Sequence, residues 1–168
     1  MSDLEYEPMT HAEKIQWMLD ERGWGAVPVR PADSQAPMGA GYTYSFGLEA
    51  SLGRPEIVVC GLQPAQARGL LDLVVAQYHA GIDLPIDSPF IGLLDNDLPA
   101  VLLTLDPSEQ AQLVPTIVEV SGDRPWRLQQ FVWPDPSGAL PWDEACPDQL
   151  RRAQPVLVAA ASSPESLP

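Results

Sequence analysis

A short run of amide, indole and carboxylate side chains has the residue types of a ligand site. Gln130, Trp133 and Asp135 lie at the end of a strand-like run, and Trp142 follows the next turn, at Gly138. Pockets for small molecules combine aromatic walls with a few polar groups that orient the ligand. The two tryptophans could equally pack on each other across the turn, since aromatic side chains mostly serve cores. We refer to Gln130, Trp133, Asp135 and Trp142 as the aromatic/acidic corner.

Two earlier strand-like segments supply further polar candidates. Residues 42–48 alternate between large aromatic or aliphatic side chains and small ones, which places Tyr44 on the large face and Ser45 on the small face. A face of small residues lets a ligand or another backbone approach closely. Glu56 opens a continuous apolar run and is the second acidic candidate. The predicted binding residues are Tyr44, Ser45, Glu56, Gln130, Trp133, Asp135 and Trp142.

Catalysis by proton transfer would require carboxylates or a histidine, and the chain has only two histidines. The acid/base candidates are Glu56, His79 and Asp135, which would have to converge on one pocket. His79 lies in the last turn of a predicted helix, where a cation also complements the helix dipole. Ser45 is the most plausible serine nucleophile, but its surroundings lack the first glycine of a G-x-S-x-G elbow. The sequence therefore leaves the catalytic residues, if any, unknown.

Metal and cofactor motifs are absent from the sequence. Four aspartates in one predicted loop could gather around a hard cation, but the loop lacks the glycine and spacing of a calcium-binding loop. The glycines form neither a dinucleotide-binding nor a nucleotide-phosphate motif. The sequence predicts no metal site and no cofactor, and a split-barrel flavin domain is a weaker alternative suggested only by strand content and the strand with a small-residue face. The four aspartates are Asp83, Asp87, Asp95 and Asp97.

Charge is the strongest compositional signal, with 23 acidic residues against 9 basic ones and a net charge of −14. Nucleic acids and anionic membranes attract lysine and arginine, so the composition predicts neither as a partner. A basic protein partner or a small molecule is compatible with it. The chain has no signal-peptide pattern and no apolar run of about 18 residues, which predicts a cytoplasmic location. Its two cysteines imply no disulfide framework, and the oligomeric state is left open.

These candidate residues need a scaffold, which hydrophobic periodicity outlines. Thr10 and Glu13 form a capping-box pattern at the start of a helix that Gly23 ends. Pro64 and Asp106 mark the starts of two further helices. Alternating or continuous apolar runs predict strands at residues 24–29, 42–48, 56–62, 100–105 and 126–133.

The length and the mixture of elements predict one α+β domain. A chain of 168 residues can bury a sufficient core without disulfides. We expect a single compact domain with a short mixed or antiparallel β-sheet packed with two to three helices. Residues 1–9 are predicted to be a flexible acidic N-terminus, residues 10–155 the globular domain, and residues 156–168 a loose tail.

Several short motifs occur in a recognisable order along about residues 24–155. They are Tyr44-Ser45-Phe46-Gly47-Leu48, Pro55-Glu56, Gly61-Leu62, the run from Gln130 to Asp135, Gly138, Pro141-Trp142 and Gln154-Pro155. In this order and spacing the chain resembles the bacterial domain of unknown function 4262 family. Ser45 stands where that family usually has threonine, and Phe46 where it usually has an aliphatic residue. The resemblance implies a small bacterial, cytoplasmic domain and supplies no activity, substrate or catalytic residue.

Two functions follow as hypotheses. The first is a non-catalytic binding domain that holds a small molecule or a protein partner at the aromatic/acidic corner, with an antitoxin-like or immunity-like protein as one version. The alternative is a small hydrolase or transferase that uses an unfamiliar carboxylate/histidine site.

Overall fold

The computed structural model describes residues 8–157, which form a five-stranded sheet with strand order β1-β2-β3-β5-β4. β3 and β5 run parallel, and the other neighbouring pairs are antiparallel. The predicted α+β fold with a mixed sheet is confirmed. The sheet is open, with β1 and β4 as its outer strands, and does not close into a barrel, so the split-barrel alternative is wrong. The strands are Gly25–Val29 (β1), Tyr42–Phe46 (β2), Glu56–Cys60 (β3), Val101–Leu105 (β4) and Leu128–Val132 (β5).

The described residues contain more helices than the two to three predicted. The helix predicted to start at Asp106 is present, and the three additional ones have only five to seven residues, too few to show a helical period in the sequence. The α-helices are His11–Arg22 (α1), Leu48–Leu52 (α2), Pro64–His79 (α3), Pro107–Gln110 (α4), Pro115–Ser121 (α5) and Asp148–Ala153 (α6). Short 3₁₀ turns occur at Pro31–Asp33, Pro37–Gly39, Asp95–Asp97 and Ala111–Leu113.

The first helix begins and ends where its capping residues predict. Thr10 Oγ1 accepts a hydrogen bond from the Glu13 amide at 3.2 Å, and Glu13 Oε2 accepts one from the Thr10 amide at 3.3 Å. Gly23, with φ of 79°, ends the helix in the left-handed conformation. These local contacts satisfy backbone groups that no intrahelical bond can reach.

Helices cover both faces of the sheet. α1 and α5 pack on the face that carries Phe46 and Val58, whereas α3 packs on the opposite face, which carries Ile57 and Phe131. All five residues of β3 are buried, as expected for a strand in the middle of the sheet. The sheet is therefore accessible to ligands mainly at its ends, where strands meet loops.

Both outer strands carry features that oppose further strand pairing. Pro28 lies in the middle of β1 and has no amide hydrogen to donate. The outer edge of β4 is covered by the loop before it, since Phe90 and Ala100 exchange two hydrogen bonds of 2.9 Å and the Asp87 amide donates to Leu102. Such devices prevent two sheets from joining edge to edge.

Core packing continues to the last residues that the structure describes. Leu157 is only 8% exposed and belongs to the core cluster, and Val156 packs beside it on a neighbouring cluster. Residues 1–7 of the predicted flexible N-terminus and residues 158–168 of the predicted tail lie outside the described residues.

Candidate functional site

A pocket of about 420 Å³ opens at the end of the sheet where β1 and β3 finish and β2 begins. β1 and β3 are both antiparallel to β2, so their carboxyl ends meet at this edge. The carboxyl edge of strands that run in the same direction is the usual ligand position in open α/β sheets. We call this the arginine pocket; Arg30, Thr43, Gly61, Gln63 and Arg152 are among the residues that line it.

Thr43 gives the arginine pocket a polar group that the fold does not use. It lies on β2 and is only 2% exposed, yet its hydroxyl makes no hydrogen bond with the described residues. Gln129 Oε1 is the one fully enclosed side-chain oxygen or nitrogen without a partner in residues 8–157. Since the Thr43 hydroxyl is not among such fully enclosed atoms, it is in part accessible, and Thr43 lines the arginine pocket.

Two arginines line the same pocket. Arg30 follows β1 and lies 3.6 Å from Asp33, in a pair whose side chains are 83% and 65% exposed. Such an exposed ion pair contributes little to the stability of the fold. Arg152 lies on α6 and forms no ion pair within residues 8–157. Neither guanidinium therefore has a strong ion-pair partner among the described residues.

The remaining wall comes from the loop between β1 and β2. Met38 lies in this loop with φ of 60°, a left-handed conformation that is uncommon for methionine, and it is 67% exposed. Its side chain lines the pocket. This backbone conformation sets an apolar side chain beside the pocket rather than in the core.

Trp133 braces the turn that forms one side of the arginine pocket. Its Nε1 donates to the carbonyl oxygen of Cys60 at 2.8 Å. A Cβ atom on Gly61 would lie 3.2 Å from the Trp133 ring and 2.6 Å from the Ala153 carbonyl oxygen. Burial raises the pKa of the Cys60 thiol to about 12, so this thiol stays neutral and unreactive.

Gln130 on β5 and Gln154 after α6 each bond to the backbone of the other's segment, and we call these two residues the glutamine pair. The Gln130 amide donates to the Pro155 carbonyl at 2.8 Å and accepts from the Leu157 amide at 2.9 Å. The Gln154 side chain accepts from the Trp133 amide at 2.8 Å and donates to the Trp133 carbonyl at 2.7 Å. Both glutamines are 0% exposed. Gln130 therefore joins β5 to the chain that follows α6 and lies away from solvent.

Replacing Gln154 with alanine is expected to lower the free energy of unfolding by about 2 kcal/mol, because it leaves two partly buried backbone groups of Trp133 without partners. Urea unfolding followed by tryptophan fluorescence would measure the change. Gln149→Ala, which truncates an exposed glutamine on the same helix, is the matched control and should be nearly neutral. Equal losses in the two variants would contradict the role of the glutamine pair.

The two tryptophans of the aromatic/acidic corner do not pack on each other. Trp133 packs with the cluster that includes Phe131, and Trp142 with the cluster that includes Val132, on the opposite face of β5. A shallow groove of about 290 Å³ is lined by Trp133, Asp135 and part of α6. The structure thus brings Trp133 and Asp135 together and places Trp142 elsewhere.

Asp135 closes the turn after β5. Its Oδ1 accepts hydrogen bonds from the Ser137 hydroxyl at 2.7 Å, the Ser137 amide at 2.9 Å and the Ala139 amide at 2.8 Å. The Ser137 hydroxyl and the Ala139 amide hold the pKa of this carboxyl below its ordinary value. The contacts within the turn account for an aspartate at this position.

Ser45 and Glu56 contact each other directly. The Ser45 hydroxyl donates to Glu56 Oε1 at 2.9 Å and accepts from the Ile57 amide at 2.8 Å. Glu56 also accepts from the amides of Leu48 at 3.1 Å and Glu49 at 3.2 Å, at the start of α2. The carboxylate therefore caps this short helix from a neighbouring strand.

Glu56 is 1% exposed and lines a second pocket of about 260 Å³, beside the end of α5 and Arg124. Burial raises the pKa of its carboxyl above the ordinary value, although the hydrogen bonds from Glu49, Ser45 and Leu48 act in the opposite direction. A carboxyl with a raised pKa at a pocket is a candidate proton carrier.

Tyr44 lies in the core rather than at a pocket. It is 1% exposed, its hydroxyl oxygen accepts from the Thr116 amide at 3.3 Å, and its ring stacks 6.2 Å from that of Tyr42. Burial raises the pKa of its hydroxyl. Its contacts anchor β2 to α5.

The three acid/base candidates do not converge. Glu56 begins β3, whereas Asp135 lies beyond the opposite end of the parallel strand β5. His79 is exposed at the end of α3. This helix covers one face of the sheet, and α5, which lies beside Glu56, covers the opposite face.

The aspartates of the predicted acidic loop do not form a metal site either. Asp83 lies 2.6 Å from Arg54, and Asp87 accepts from the Thr104 amide at 2.7 Å and hydroxyl at 2.9 Å. Within residues 8–157 no group of three or more histidine, cysteine or acidic side chains is arranged to hold a metal ion.

The sequence-based reasoning missed Arg30, Thr43 and Arg152. The scarcity of basic residues was the signal that could have singled out the two arginines, since any basic residue beside a predicted strand end is unusual in so acidic a chain. Thr43 had no such signal, because its free hydroxyl becomes visible only when its neighbours are placed.

The sequence profile of a family described as "Domain of unknown function (DUF4262)" matches residues 18–147. No curated protein and no solved structure matches the chain. The matched segment contains all five strands and ends just before α6, so Arg152 and Gln154 lie beyond it. None of the described helices is long and apolar enough to cross a membrane.

Proposed function

This chain belongs to the DUF4262 family, whose description assigns no activity, and we propose from its geometry that it is a non-catalytic binding domain for a small molecule. The ligand occupies the arginine pocket. This location differs from the aromatic/acidic corner, although Trp133 connects the two by bracing the turn at Gly61.

The Thr43 hydroxyl is the single observation that carries the proposal. Buried polar groups in folded proteins almost always have a hydrogen-bond partner, because leaving one unpaired costs free energy. A nearly buried hydroxyl on a residue that lines a pocket, with no partner among the described residues, is therefore accounted for by a ligand or a bound water that supplies one. The volume of about 420 Å³ falls within the range of small-molecule sites.

A protein partner is the less favoured version of this proposal. The net charge of −14 supports attraction to a basic protein, as an antitoxin-like or immunity-like role would require. Charge balance informs on association in general and selects no particular surface. The arginine pocket, by contrast, is concave and is lined by a defined polar residue, Thr43.

Fragment screening by NMR tests the proposal. Uniformly ¹⁵N-labelled protein would be mixed with a library of small organic molecules, and the amide signals of Gly41, Thr43 and Gly61 would report on the pocket. We expect bound fragments to shift these signals. Fragments that shift only signals around Asp135, or none at all, would overturn the assignment of the arginine pocket.

An enzyme is the second candidate function, favoured by the raised pKa and pocket position of Glu56. A carboxyl of this kind could transfer a proton to a substrate beside Arg124. The test is a panel of ester, amide and phosphate substrates with wild-type protein and Glu56→Gln. Turnover by the wild type that disappears in a folded Glu56→Gln variant would support it, and no turnover by either protein would count against it.

A further inference from the structure

We infer that the ligand of the arginine pocket carries an anionic group, a carboxylate or a phosphate, that binds between Arg30, Arg152 and the Thr43 hydroxyl. This inference rests on the proposed function, because it names the class of ligand for the same pocket.

The distribution of charge supports an anion. The chain has 23 acidic and only 9 basic residues, yet two arginines and no aspartate or glutamate line this pocket. Four other pockets in the described part of the chain each include at least one acidic side chain. A concave site whose charged lining residues are both arginines is therefore a local exception in an acidic chain, although Asp33 lies 3.6 Å from Arg30.

The donors that face the pocket match an oxyanion. A guanidinium group presents paired N–H donors that fit the two oxygens of a carboxylate or phosphate. Thr43 lines the pocket and its hydroxyl can add a further donor, since no described residue accepts from it. The pocket also lies at the start of α3, a helix of 16 residues, where the backbone dipole favours negative charge.

The remaining surface of the pocket is apolar, which argues for an organic anion rather than a bare ion. Val29, Pro31, Met38 and Leu62 line it alongside the polar groups. A ligand with a flat or aliphatic part would cover these side chains while its charged end meets the arginines. Met38 is well placed to pack over such a ligand because it is held outside the core.

Binding measurements with three probes that share a phenyl ring test the inference. Benzoate, phenyl phosphate and benzamide share a ring and differ in carrying a carboxylate, a phosphate or a neutral amide. NMR titration of the wild-type protein would give the affinity of each probe from the signals of Gly41, Thr43 and Gly61. We expect benzoate or phenyl phosphate to bind at least about tenfold more tightly than benzamide. The tighter of the two anions identifies the charged group.

Variants then assign the charge to the pocket. Arg30→Gln and Arg152→Gln should each weaken binding of the better anion by about tenfold, and Thr43→Val by a smaller factor. Arg22→Gln removes the same charge on α1, away from the pocket, and should leave the affinity unchanged. Because all four positions are exposed or lack a hydrogen-bond partner, the variants should keep the wild-type amide spectrum outside the pocket.

The outcomes separate this inference from the proposed function. Benzamide that binds in the pocket as tightly as both anions, with no effect of Arg30→Gln or Arg152→Gln, would overturn the inference and leave the binding function standing. A loss of affinity in Arg22→Gln equal to that in Arg152→Gln would also overturn it, since net charge alone would explain the binding. If no probe shifts the pocket signals and no fragment of the library does so either, both the inference and the proposed function are overturned.

Discussion

A single methyl group added at Gly47 is expected to lower the free energy of unfolding by about 3 kcal/mol. Gly47 has φ of 90°, where side chains other than glycine's are strained. An alanine Cβ at this position would lie 2.5 Å from the Gly23 carbonyl oxygen and 2.8 Å from Leu19 Cδ2. The clash is with backbone, so the end of α1 or the start of α2 has to move. Chemical unfolding of Gly47→Ala in urea would measure the loss.

Gly53→Ala is the control that separates strain from contact. Gly53 also has a positive φ, of 66°, but no atom lies within 4 Å of the position of its Cβ. Conformational strain alone should therefore cost about 1 kcal/mol there. The difference between the two variants measures how rigidly α1 is held against the start of α2. Equal losses would mean that the two helices separate without cost, which would contradict the close packing at Gly47.

Replacing Glu56 with alanine is expected to lower the free energy of unfolding by a similar amount, about 3 kcal/mol. The carboxylate accepts hydrogen bonds from the Ser45 hydroxyl and from the amides of Leu48 and Glu49, and alanine leaves these donors without an acceptor. Glu119→Ala, at an exposed glutamate on α5, is the matched control and should change stability little. A Glu56→Ala variant as stable as Glu119→Ala would show that water replaces the carboxylate.

The raised pKa of Glu56 also predicts how stability changes with pH. A carboxyl whose pKa is higher in the folded protein than its ordinary value of 4.5 binds its proton more tightly when folded. The part of the stability that comes from this tighter proton binding is therefore complete below pH 4.5 and is lost as the pH rises through the folded pKa of Glu56. Asp106 and Asp135 act in the opposite direction, since hydrogen bonds, chiefly from Ser108 and Ser137, lower their pKa values.

Comparison with Glu56→Gln isolates this effect from the other acidic residues. The free energy of unfolding of the wild type minus that of Glu56→Gln should decrease from pH 4.5 upward and level off above the folded pKa of Glu56. Urea unfolding at several pH values between 4 and 8 would trace the difference. A difference that rises with pH would mean that the hydrogen bonds outweigh burial and lower the pKa instead.

Local chemistry made much of the fold predictable. The Thr10 capping box and Gly23 locate α1, and the apolar run at residues 56–62 locates the central strand. These features depend on residues close together in the chain. The short helices α2 and α6 were not predictable in the same way, because α2 is capped by Glu56 from β3 and α6 packs against Gly61. Such long-range contacts override weak local preferences.

The candidate site was predictable only in part. The sequence singled out Trp133 and Glu56, and the structure places each beside or within a pocket. Gln130 also drew attention, but its amide serves the backbone of the chain after α6. A polar residue in an apolar strand signals an obligatory partner without revealing whether that partner is ligand or protein. The arginine pocket combines β1, β2, β3 and α6, and its composition follows from the strand order.

The closed edges of the sheet restrict how this protein can recognise other chains. Many adaptor domains bind a partner by accepting one of its segments as an extra strand, with main-chain hydrogen bonds providing most of the affinity. Pro28 removes one backbone donor from β1 and the loop before β4 occupies its outer edge, so both sides of the sheet are poor templates for an extra strand. Recognition must then depend on side chains and pockets, which read the chemical identity of a ligand rather than the generic polypeptide backbone.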